Sequence, residues 1–268
     1  MKKLNPLGYL GYLCLASFLS IGASQLRADA IPTGWTCSGS CGSLGANGVV
    51  SLSPTGSSSY QYVSTNNGLN GIGALPTGSL DSETNGSTLS TTIFSATAGT
   101  ALNFYFNYVT SDGAGYADYA WAELFDSSNN LVSLLFTART RPDGSITPGF
   151  GMPDPNATLT PGSVSIIPGA PEWSPLGSSS GTCYNTGCGY TGWVNSNYVI
   201  QNAGDYYLKV GVTNWSDTQY DSGLALDGVT IGGKPIDPAP VPEPSTFLLL
   251  GSGMAGALSM ARRRLFGR

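Results

Sequence analysis

The sequence predicts an all-β protein that folds as an antiparallel β-sandwich. Short runs of alternating apolar and polar residues recur along the chain, and clusters of Gly, Pro, Ser and Asn separate them. No stretch of useful length between the two ends shows helical periodicity. Apolar residues make up 41% of the sequence, which is enough to form a hydrophobic core. The part between the two ends is long enough for one sizeable β domain or two small ones.

The first thirty residues are predicted to be a secretory signal peptide with a helical core. Lys2 and Lys3 provide a basic start, residues 7–21 are largely apolar, and Ala28 and Ala30 form a small-x-small cleavage site. This layout implies export by the Sec translocase and cleavage by signal peptidase after Ala30. A permanent N-terminal anchor is the alternative, but the apolar run is short and interrupted by glycine.

The strands are assigned from residues with period-two alternation or β-branched and aromatic content. The clearest is residues 101–110, in which four large apolar side chains share one face. Residues 116–125 and 131–140 follow, and the turn at 126–130 predicts that they form an antiparallel hairpin. In chain order the predicted strands are residues 49–52, 60–63, 89–94, 101–110, 116–125, 131–140, 163–167, 193–199, 204–213 and 224–231.

Two segments are predicted to be long loops. Residues 66–87 are rich in glycine and contain at most one short strand. Residues 141–180 are rich in proline and glycine and are too long for an ordinary connection. Either this second segment contains one or two short strands, with 163–167 as the candidate, or it is a functional loop over one face of the sandwich.

Four cysteines follow the signal peptide, and they form two local pairs. Cys37 and Cys41 lie close together in sequence, as do Cys183 and Cys188, and each pair lies in a loop rich in small polar residues. In an exported protein an even number of cysteines is typical of disulfides. Pairing within each loop is favoured because each bond closes a short loop. A four-thiolate zinc site is the alternative, although its usual spacing and its usual compartment differ.

Charge and composition exclude several classes of function. Residues 31–241 contain fourteen acidic and four basic residues, so this part of the chain repels nucleic acid. Divalent cations and neutral polysaccharides are compatible partners. The chain has no histidine, which excludes Ser-His-Asp and Cys-His nucleophiles and removes the commonest ligand of catalytic zinc.

The C-terminal residues 242–268 contain three different segments in a fixed order. The apolar segment predicts a short transmembrane helix over about residues 246–260, which is at or below the usual spanning length of about 20 residues. Residues 234–241 are predicted to be a proline-rich linker that follows a domain of residues 31–233. In order, the three segments are Pro242-Glu243-Pro244, the apolar run, and the basic cluster Arg262-Arg263-Arg264.

This order of segments resembles the PEP-CTERM sorting signal of bacterial surface proteins. The resemblance implies that an exosortase, a membrane protease, recognises Pro242, Glu243 and Pro244 and then removes or exchanges the tail. It also implies transient anchoring in the membrane, with a final location at the cell surface or in the extracellular matrix.

Two late segments resemble the last strands of lectin-like domains that are similar to carbohydrate-binding modules. These are residues 204–210 (Gly-Asp-Tyr-Tyr-Leu-Lys-Val) and residues 221–231 (Asp-Ser-Gly-Leu-Ala-Leu-Asp-Gly-Val-Thr-Ile). The resemblance implies that the sandwich is a jelly roll. It covers a small part of the chain and does not specify a ligand.

Asp227 and Asp221 are candidate ligands of a structural calcium ion. In the domains that residues 221–231 resemble, an acid near the position of Asp227 often helps to hold calcium. An acid among apolar residues is costly to bury unless it is paired or bound to a metal. Calcium requires six to eight oxygens, and no contiguous D-x-D-x-D loop is present. An Asp that is capped or exposed at a strand edge is the alternative interpretation.

Tyr116, Tyr119 and Trp121 are candidate contacts for a glycan. They lie within residues 111–121, where aromatic residues alternate with aspartates. Aromatic faces stack on sugar rings, and neighbouring carboxylates accept hydrogen bonds from hydroxyl groups. The alternative is that these aromatic residues lie in the core or on a sheet face, because aromatic residues are common in strands.

The sequence assigns no catalytic residue. A glycoside hydrolase needs two carboxylates about 5–10 Å apart. Glu123 is the glutamate best placed on a strand, and no second acid is marked as its partner. The prediction is therefore an exported, non-enzymatic protein with a structural or adhesive role in the exopolysaccharide layer. A dedicated carbohydrate-binding module and a glycoside hydrolase are the alternatives.

Overall fold

The structure, a computed structural model, describes residues 30–141 and 144–236. The predicted signal helix, the Pro-Glu-Pro motif, the transmembrane helix and the Arg cluster lie outside the described residues, which begin at Ala30, the last residue before the predicted cleavage point. Within the described ranges, no helix has the length and the apolar character of a membrane span. Nearly all regular structure in this part is β, with one 3-10 segment at Ser174–Ser179.

The strands are short and closely spaced, as the turn-rich sequence predicts. The first nine are β1 (Thr36–Ser38), β2 (Ser40–Leu44), β3 (Tyr60–Ser64), β4 (Leu69–Asn70), β5 (Glu83–Ser90), β6 (Phe94–Ala96), β7 (Ala101–Thr110), β8 (Tyr119–Asp126) and β9 (Leu131–Arg139). The others are β10 (Ser145–Thr147), β11 (Thr158–Thr160), β12 (Val164–Ser165), β13 (Ile167–Pro168), β14 (Gly189–Tyr190), β15 (Val194–Val199), β16 (Gly204–Trp215), β17 (Ser222–Ile231) and β18 (Lys234–Pro235).

Two antiparallel sheets form the layers of the sandwich. A seven-stranded sheet has the order β1-β5-β16-β8-β9, with β4 paired to β5 and β6 paired to β16. A nine-stranded sheet has the order β11-β15-β7-β17-β3-β2, and β14, β13 and β18 extend it. Strands β10 and β12 form a separate two-stranded sheet. This arrangement confirms the predicted antiparallel β-sandwich.

The main core lies between the two sheets. The alternating side chains of β7 that the sequence assigns to one face are fully buried there. Phe106 of β7 stacks on Phe136 of β9 with ring centroids 3.8 Å apart, which joins the two layers directly. The four inward residues of β7 are Leu102, Phe104, Phe106 and Tyr108.

The chain crosses repeatedly from one sheet to the other, as in jelly-roll sandwiches. Strands β7 and β8 are consecutive in sequence but belong to different sheets. The same is true of β16 and β17. Thr110 at the end of β7 pairs with Ser222 at the start of β17. The β7–β8 loop (residues 111–118) and the β16–β17 loop (residues 216–221) therefore lie side by side at one end of the sandwich.

Loops cover part of the outer face of each sheet and form two smaller apolar clusters. Trp173 and Val50 cover the nine-stranded sheet around Tyr60 and Ala225. On the seven-stranded sheet, Leu75, Leu134 and Met152 pack around two aromatic residues of β8. Sheet positions that point away from the main core are thus also buried, which period-two alternation alone does not reveal.

Two of the predicted strands differ from the structure. Residues 49–52 form only an isolated bridge between Asn47 and Val50, because Val50 packs on the outer face of a sheet. The strand predicted at 89–94 ends at Ser90, and β5 instead begins at Glu83 inside the predicted glycine-rich loop. Gly86 explains this extension, because a Cβ there would lie 2.2 Å from the carbonyl oxygen of Val212. Only a residue without a side chain allows β16 to pair so closely at this position.

The folded domain extends to Ile236, slightly beyond the predicted boundary at residue 233. Lys234–Pro235 pairs with the end of β17, and Ile236 packs against the main core. The first residues of the predicted linker are therefore part of the sheet, and the rest of that linker lies outside the described residues.

Candidate functional site

A pocket of about 210 Å³ lies at the end of the sandwich where the β7–β8 and β16–β17 loops meet a third loop. The third loop is residues 183–188. We call the site the tyrosine pocket, and its lining residues are Asp112, Tyr116, Tyr184, Asp217, Gln219 and Tyr220.

The β7–β8 loop provides a buried carboxylate at the pocket. The Asp112 side chain is only 2% exposed, and its Oδ1 accepts a hydrogen bond from the amide of Gly113 at 2.7 Å. Its Oδ2 is buried and has no hydrogen-bond donor. The loop is fixed to the neighbouring β16–β17 loop because Ser111 Oγ donates to the carbonyl of Asp221 at 2.8 Å. Asp112 is therefore held rigidly, with one oxygen unsatisfied.

The loop of residues 183–188 is closed by a disulfide and docks on the β7–β8 loop. Cys183 bonds to Cys188, and Cys37 bonds to Cys41, which confirms both predicted pairs. The amide of Tyr184 donates to the carbonyl of Ser111 at 3.0 Å. A Cβ at Gly113 would lie 2.7 Å from the carbonyl oxygen of Asn185, so glycine permits the close approach of the two loops. The disulfide loop thus fixes the position of Tyr184.

The β16–β17 loop is strained. Ser216 and Tyr220 adopt left-handed backbone conformations, with φ of 76° and 55°. Such conformations cost a bulky residue roughly 1–3 kcal/mol, and they persist where the surrounding structure imposes them. Because backbone strain concentrates at functional sites, these two residues mark the β16–β17 loop as a candidate binding element.

Three tyrosine rings form the walls of the pocket. The ring of Tyr184 lies 5.5 Å from that of Tyr116 at an interplanar angle of 81°, and 5.2 Å from that of Tyr220 at 49°. Tyr116 and Tyr184 are 41% and 45% exposed. Since the rings are inclined to one another, they enclose a concave space and do not form a flat stacking platform.

The charges beside the pocket are predominantly acidic. Burial, reinforced by the negative charge of Asp217, raises the pKa of Asp112 to about 7. Burial and the adjacent charge of Asp112 raise the pKa of Asp118, whose carboxylate accepts hydrogen bonds from Trp215 N at 2.9 Å and Ser222 Oγ at 2.6 Å. Asp112 and Asp118 can hydrogen bond to each other only when one of them is protonated. Each of the two carboxylates therefore disfavours the charged form of the other.

One of the three predicted glycan contacts lies at the pocket. Tyr116 lines it, but Tyr119 and Trp121 are fully buried under loops of the seven-stranded sheet. Trp121 Nε1 donates to the carbonyl of Gly73 at 2.7 Å, and the hydroxyl of Tyr119 accepts from the amide of Leu75. Neither ring can contact a polymer, so this part of the prediction is wrong. These side chains point outward from the sheet, but the covering loops bury them.

The structure does not bring the two candidate calcium ligands together. Asp227 accepts hydrogen bonds from the hydroxyls of Ser53 and Thr55, so it is capped. Asp221 accepts from the hydroxyls of Thr65 and Ser179, both at 3.0 Å. Six residues of extended chain separate the two acids by roughly 20 Å, so they cannot bind the same ion. Residues 30–141 and 144–236 contain no group of three acidic or cysteine side chains that could hold a metal.

Glu123, the glutamate considered for hydrolysis, lies inside the protein. It is fully buried, accepts a hydrogen bond from Thr77 Oγ1 at 2.7 Å, and faces Lys209 across the β8–β16 ladder. Burial raises the pKa of Glu123. A polymer on the surface cannot contact this side chain.

Sequence reasoning did not single out Tyr184, Tyr220 or Asp217 as site residues. Their loops are distant in sequence and become neighbours only through the sheet crossings. One signal was present in the sequence, since Tyr184 lies between two paired cysteines in a loop.

The family comparison concerns the C-terminal tail. Residues 240–264 match the model of the PEP-CTERM protein-sorting motif. The chain carries a PEP-CTERM sorting motif. This confirms the resemblance of the Pro-Glu-Pro sequence, the apolar run and the Arg cluster to that signal. The motif implies that the chain is exported, processed by an exosortase, and located at the cell surface or outside the cell.

Among solved structures, the domain is similar to two cleaved adhesin domains of Lys-gingipain from Porphyromonas gingivalis W83. The K1 domain has 16% identity and a TM-score of 0.38, with 78% of this chain and 97% of the other covered. The K3 domain has 14% identity and a TM-score of 0.35, with 77% and 97% covered. The enzymatically active domain of tailspike protein 4 of bacteriophage CBA120 has 11% identity and a TM-score of 0.32, with 75% and 19% covered. No curated protein sequence matches the chain significantly.

Proposed function

We propose that this PEP-CTERM protein is a non-enzymatic adhesive protein of the extracellular polysaccharide layer, and that it binds a polysaccharide through the tyrosine pocket. The observation that carries the proposal is the group of three inclined tyrosine rings beside the buried Asp112. Export and exosortase processing bring the domain to the place where such polymers occur.

The chemistry of the pocket suits a sugar. The C–H groups of a sugar ring pack on aromatic faces, and its hydroxyl groups donate hydrogen bonds to carboxylate and amide oxygens. Two tyrosines expose over two fifths of their surface, and Asp217 and Gln219 provide polar atoms beside them. Exposed aromatic rings held beside fixed polar groups are typical of a binding surface.

The rigidity of the site also supports binding. Tyr184 lies in a disulfide-closed loop, and Tyr220 has a strained backbone that the surrounding structure maintains. Ordering a flexible side chain or loop on binding costs about 0.5–1.5 kcal/mol for each immobilised side chain. Rings that are already fixed avoid much of that cost, so a weak individual site can still contribute to adhesion when many copies act together.

The test is a pull-down of the full-length chain with a panel of bacterial exopolysaccharides. We expect at least one polymer to retain the protein, and Tyr184→Ala to weaken retention about tenfold, which corresponds to about 1.4 kcal/mol. Phe150→Ala is the matched control, because Phe150 is 46% exposed but does not line the pocket. Retention by no polymer, or release of reducing ends from a bound polymer, would contradict the proposal.

A further inference from the structure

We propose that the tyrosine pocket recognises a protonated amine, so that the bound polysaccharide carries amino sugars with free amino groups. The inference rests on the proposed function, because it specifies the class of glycan for the same site. The observations that lead to it are the inclination of the rings, the unsatisfied oxygen of Asp112 and the composition of the pocket lining.

The arrangement of the rings favours a cation. An ammonium group is attracted to the face of an aromatic ring within about 6 Å of its centroid, and several rings around one cation form an aromatic cage. The rings of Tyr116, Tyr184 and Tyr220 are neighbours at 5.5 and 5.2 Å, with interplanar angles of 81° and 49°. Because all three rings line the same pocket, a compact positive group bound there lies against aromatic side chains.

The carboxyl groups at the pocket also favour a positively charged ligand. Asp112 lines the pocket with its side chain 2% exposed, and its Oδ2 is buried without a donor. A buried carboxylate oxygen that lacks a donor costs free energy, and a positive group bound beside the carboxylate offsets part of that cost. Asp217 also lines the pocket, so the ligand meets two acidic groups. An ammonium group supplies both the positive charge and the N–H donors.

Within residues 30–141 and 144–236, no residue that lines the pocket supplies that positive charge. The lining contains aspartate, tyrosine and glutamine, but no lysine or arginine. Arg139 is the cation that acts electrostatically on Asp118, but its guanidinium donates to the carbonyls of Ala117 and Phe150 and lies 4.6 Å over the ring of Trp215. The acidic charge at the pocket is thus left for a ligand to balance.

The lining favours an organic cation over a metal ion. Calcium requires six to eight oxygen ligands, whereas half of the lining consists of tyrosine rings whose faces offer no oxygen. Rings contact the C–H groups next to an amine as well as the amine itself. A ligand with an apolar ring face and an attached ammonium group therefore uses every wall of the pocket.

The size of the pocket limits the recognised unit. Its volume is about 210 Å³. Pockets for drug-sized ligands measure about 300–1,000 Å³, so this one suits a single ring-sized group. One amino sugar residue fits that description, and the rest of a polymer would extend past the exposed edges of Tyr116 and Tyr184.

Titration of the full-length chain with four probes tests the inference. The probes are an oligomer of glucosamine, the same oligomer fully N-acetylated, a glucose oligomer and a short lysine peptide, each measured by calorimetry or NMR. We expect the glucosamine oligomer to bind at least tenfold more tightly than the other three, because only it combines a sugar face with a cation. Equal binding of the acetylated or glucose oligomer overturns the amine inference but leaves glycan binding intact. Preference for the peptide overturns the glycan assignment. Binding of none of the four overturns the amine inference, whereas the proposed function is overturned only if the exopolysaccharide panel also fails to retain the protein.

Variants separate the role of charge from the role of shape. Asp112→Asn keeps the shape but removes a negative charge, and we expect it to reduce the affinity for the glucosamine oligomer about tenfold. Asp217→Asn provides the same test at a more exposed residue, so the inference can be tested even if the Asp112 variant fails to fold. Asp154→Asn is the matched control, because Asp154 is an exposed acid that does not line the pocket. Unchanged affinity in both pocket variants would overturn the inference.

Discussion

Asp112 and Asp118 make the stability of this protein depend on pH. Burial raises the pKa of Asp112 from its usual 3.8 to about 7, and it raises the pKa of Asp118 as well. Between the unfolded and folded pKa values, the folded state binds more protons than the unfolded state. The free energy of unfolding therefore falls as pH rises through this window. Asp221 and Glu123, whose pKa values burial also raises, act in the same direction.

We therefore expect the melting temperature to be higher at pH 5 than at pH 8. Asp112→Asn should raise the melting temperature at pH 8 and reduce the difference between the two pH values, because its amide is neutral and can donate to Asp118. The pKa of Glu83 is lowered in the folded state, so its carboxylate makes the free energy of unfolding rise with pH. This opposite effect occurs only below the usual Glu pKa of 4.5. Thermal unfolding between pH 5 and pH 8 measures the effect, and a variant that unfolds with the wild-type pH profile would contradict it.

At single positions, the sequence indicated which residues suit a binding site, but not whether their side chains are exposed. The mixture of aromatic and acidic residues at 111–121 did indicate a binding region, and the structure places Asp112 and Tyr116 at the pocket. It could not separate Tyr116 from Tyr119, because the latter is buried by a loop from elsewhere in the chain. Whether an outward-facing aromatic residue is exposed depends on tertiary packing that local alternation does not encode.

Among the elements, the disulfide loop of residues 183–188 decides the geometry of the pocket. Replacing Cys183 and Cys188 by Ser removes the constraint that fixes Tyr184. We expect the free energy of unfolding to fall by about 2 kcal/mol, since the bond closes a short loop. Retention by the polysaccharide should fall at least fivefold, because the ring must then be ordered on binding. Chemical denaturation and the pull-down measure the two effects.

The other disulfide provides the control for that variant. Cys37 and Cys41 close a loop of similar length, and neither residue lines the pocket. Replacing both by Ser should lower stability by a similar amount and leave retention unchanged. Equal loss of retention in the two double variants would show that the disulfide loop has no specific role in binding.

Strands with strong alternation were the most predictable elements. Residues 101–110 form β7 with the predicted bounds, and the hairpin of β8 and β9 was also predicted. The first part of β5 was missed because its sequence, Glu-Thr-Asn-Gly-Ser-Thr, has little apolar content. Its pairing depends on the backbone of β16, which approaches closely at Gly86. Non-local pairing of this kind leaves no periodic signal in the strand itself.

For the whole molecule, the sorting motif determines the destination. We expect Glu243→Ala to leave the tail uncut and to keep the protein in the membrane fraction of its host, because the exosortase recognises the Pro-Glu-Pro sequence. Asp237→Ala, which changes an acid just before the motif, should be processed normally. Cell fractionation and the mass of the mature chain measure the outcome, and normal processing of the Glu243 variant would contradict the prediction.

Strand β17 runs from the end of the domain that carries the tyrosine pocket to the opposite end. Its first residue, Ser222, lies beside the tyrosine pocket, and its last residue, Ile231, lies where β18 and Ile236 complete the fold. Ten residues of extended chain span roughly 30 Å. The described chain thus leaves the domain at the end opposite the pocket. In a copy held by its C-terminus, the tyrosine pocket would lie at the end of the domain away from the point of attachment, so the proposed polymer could reach it.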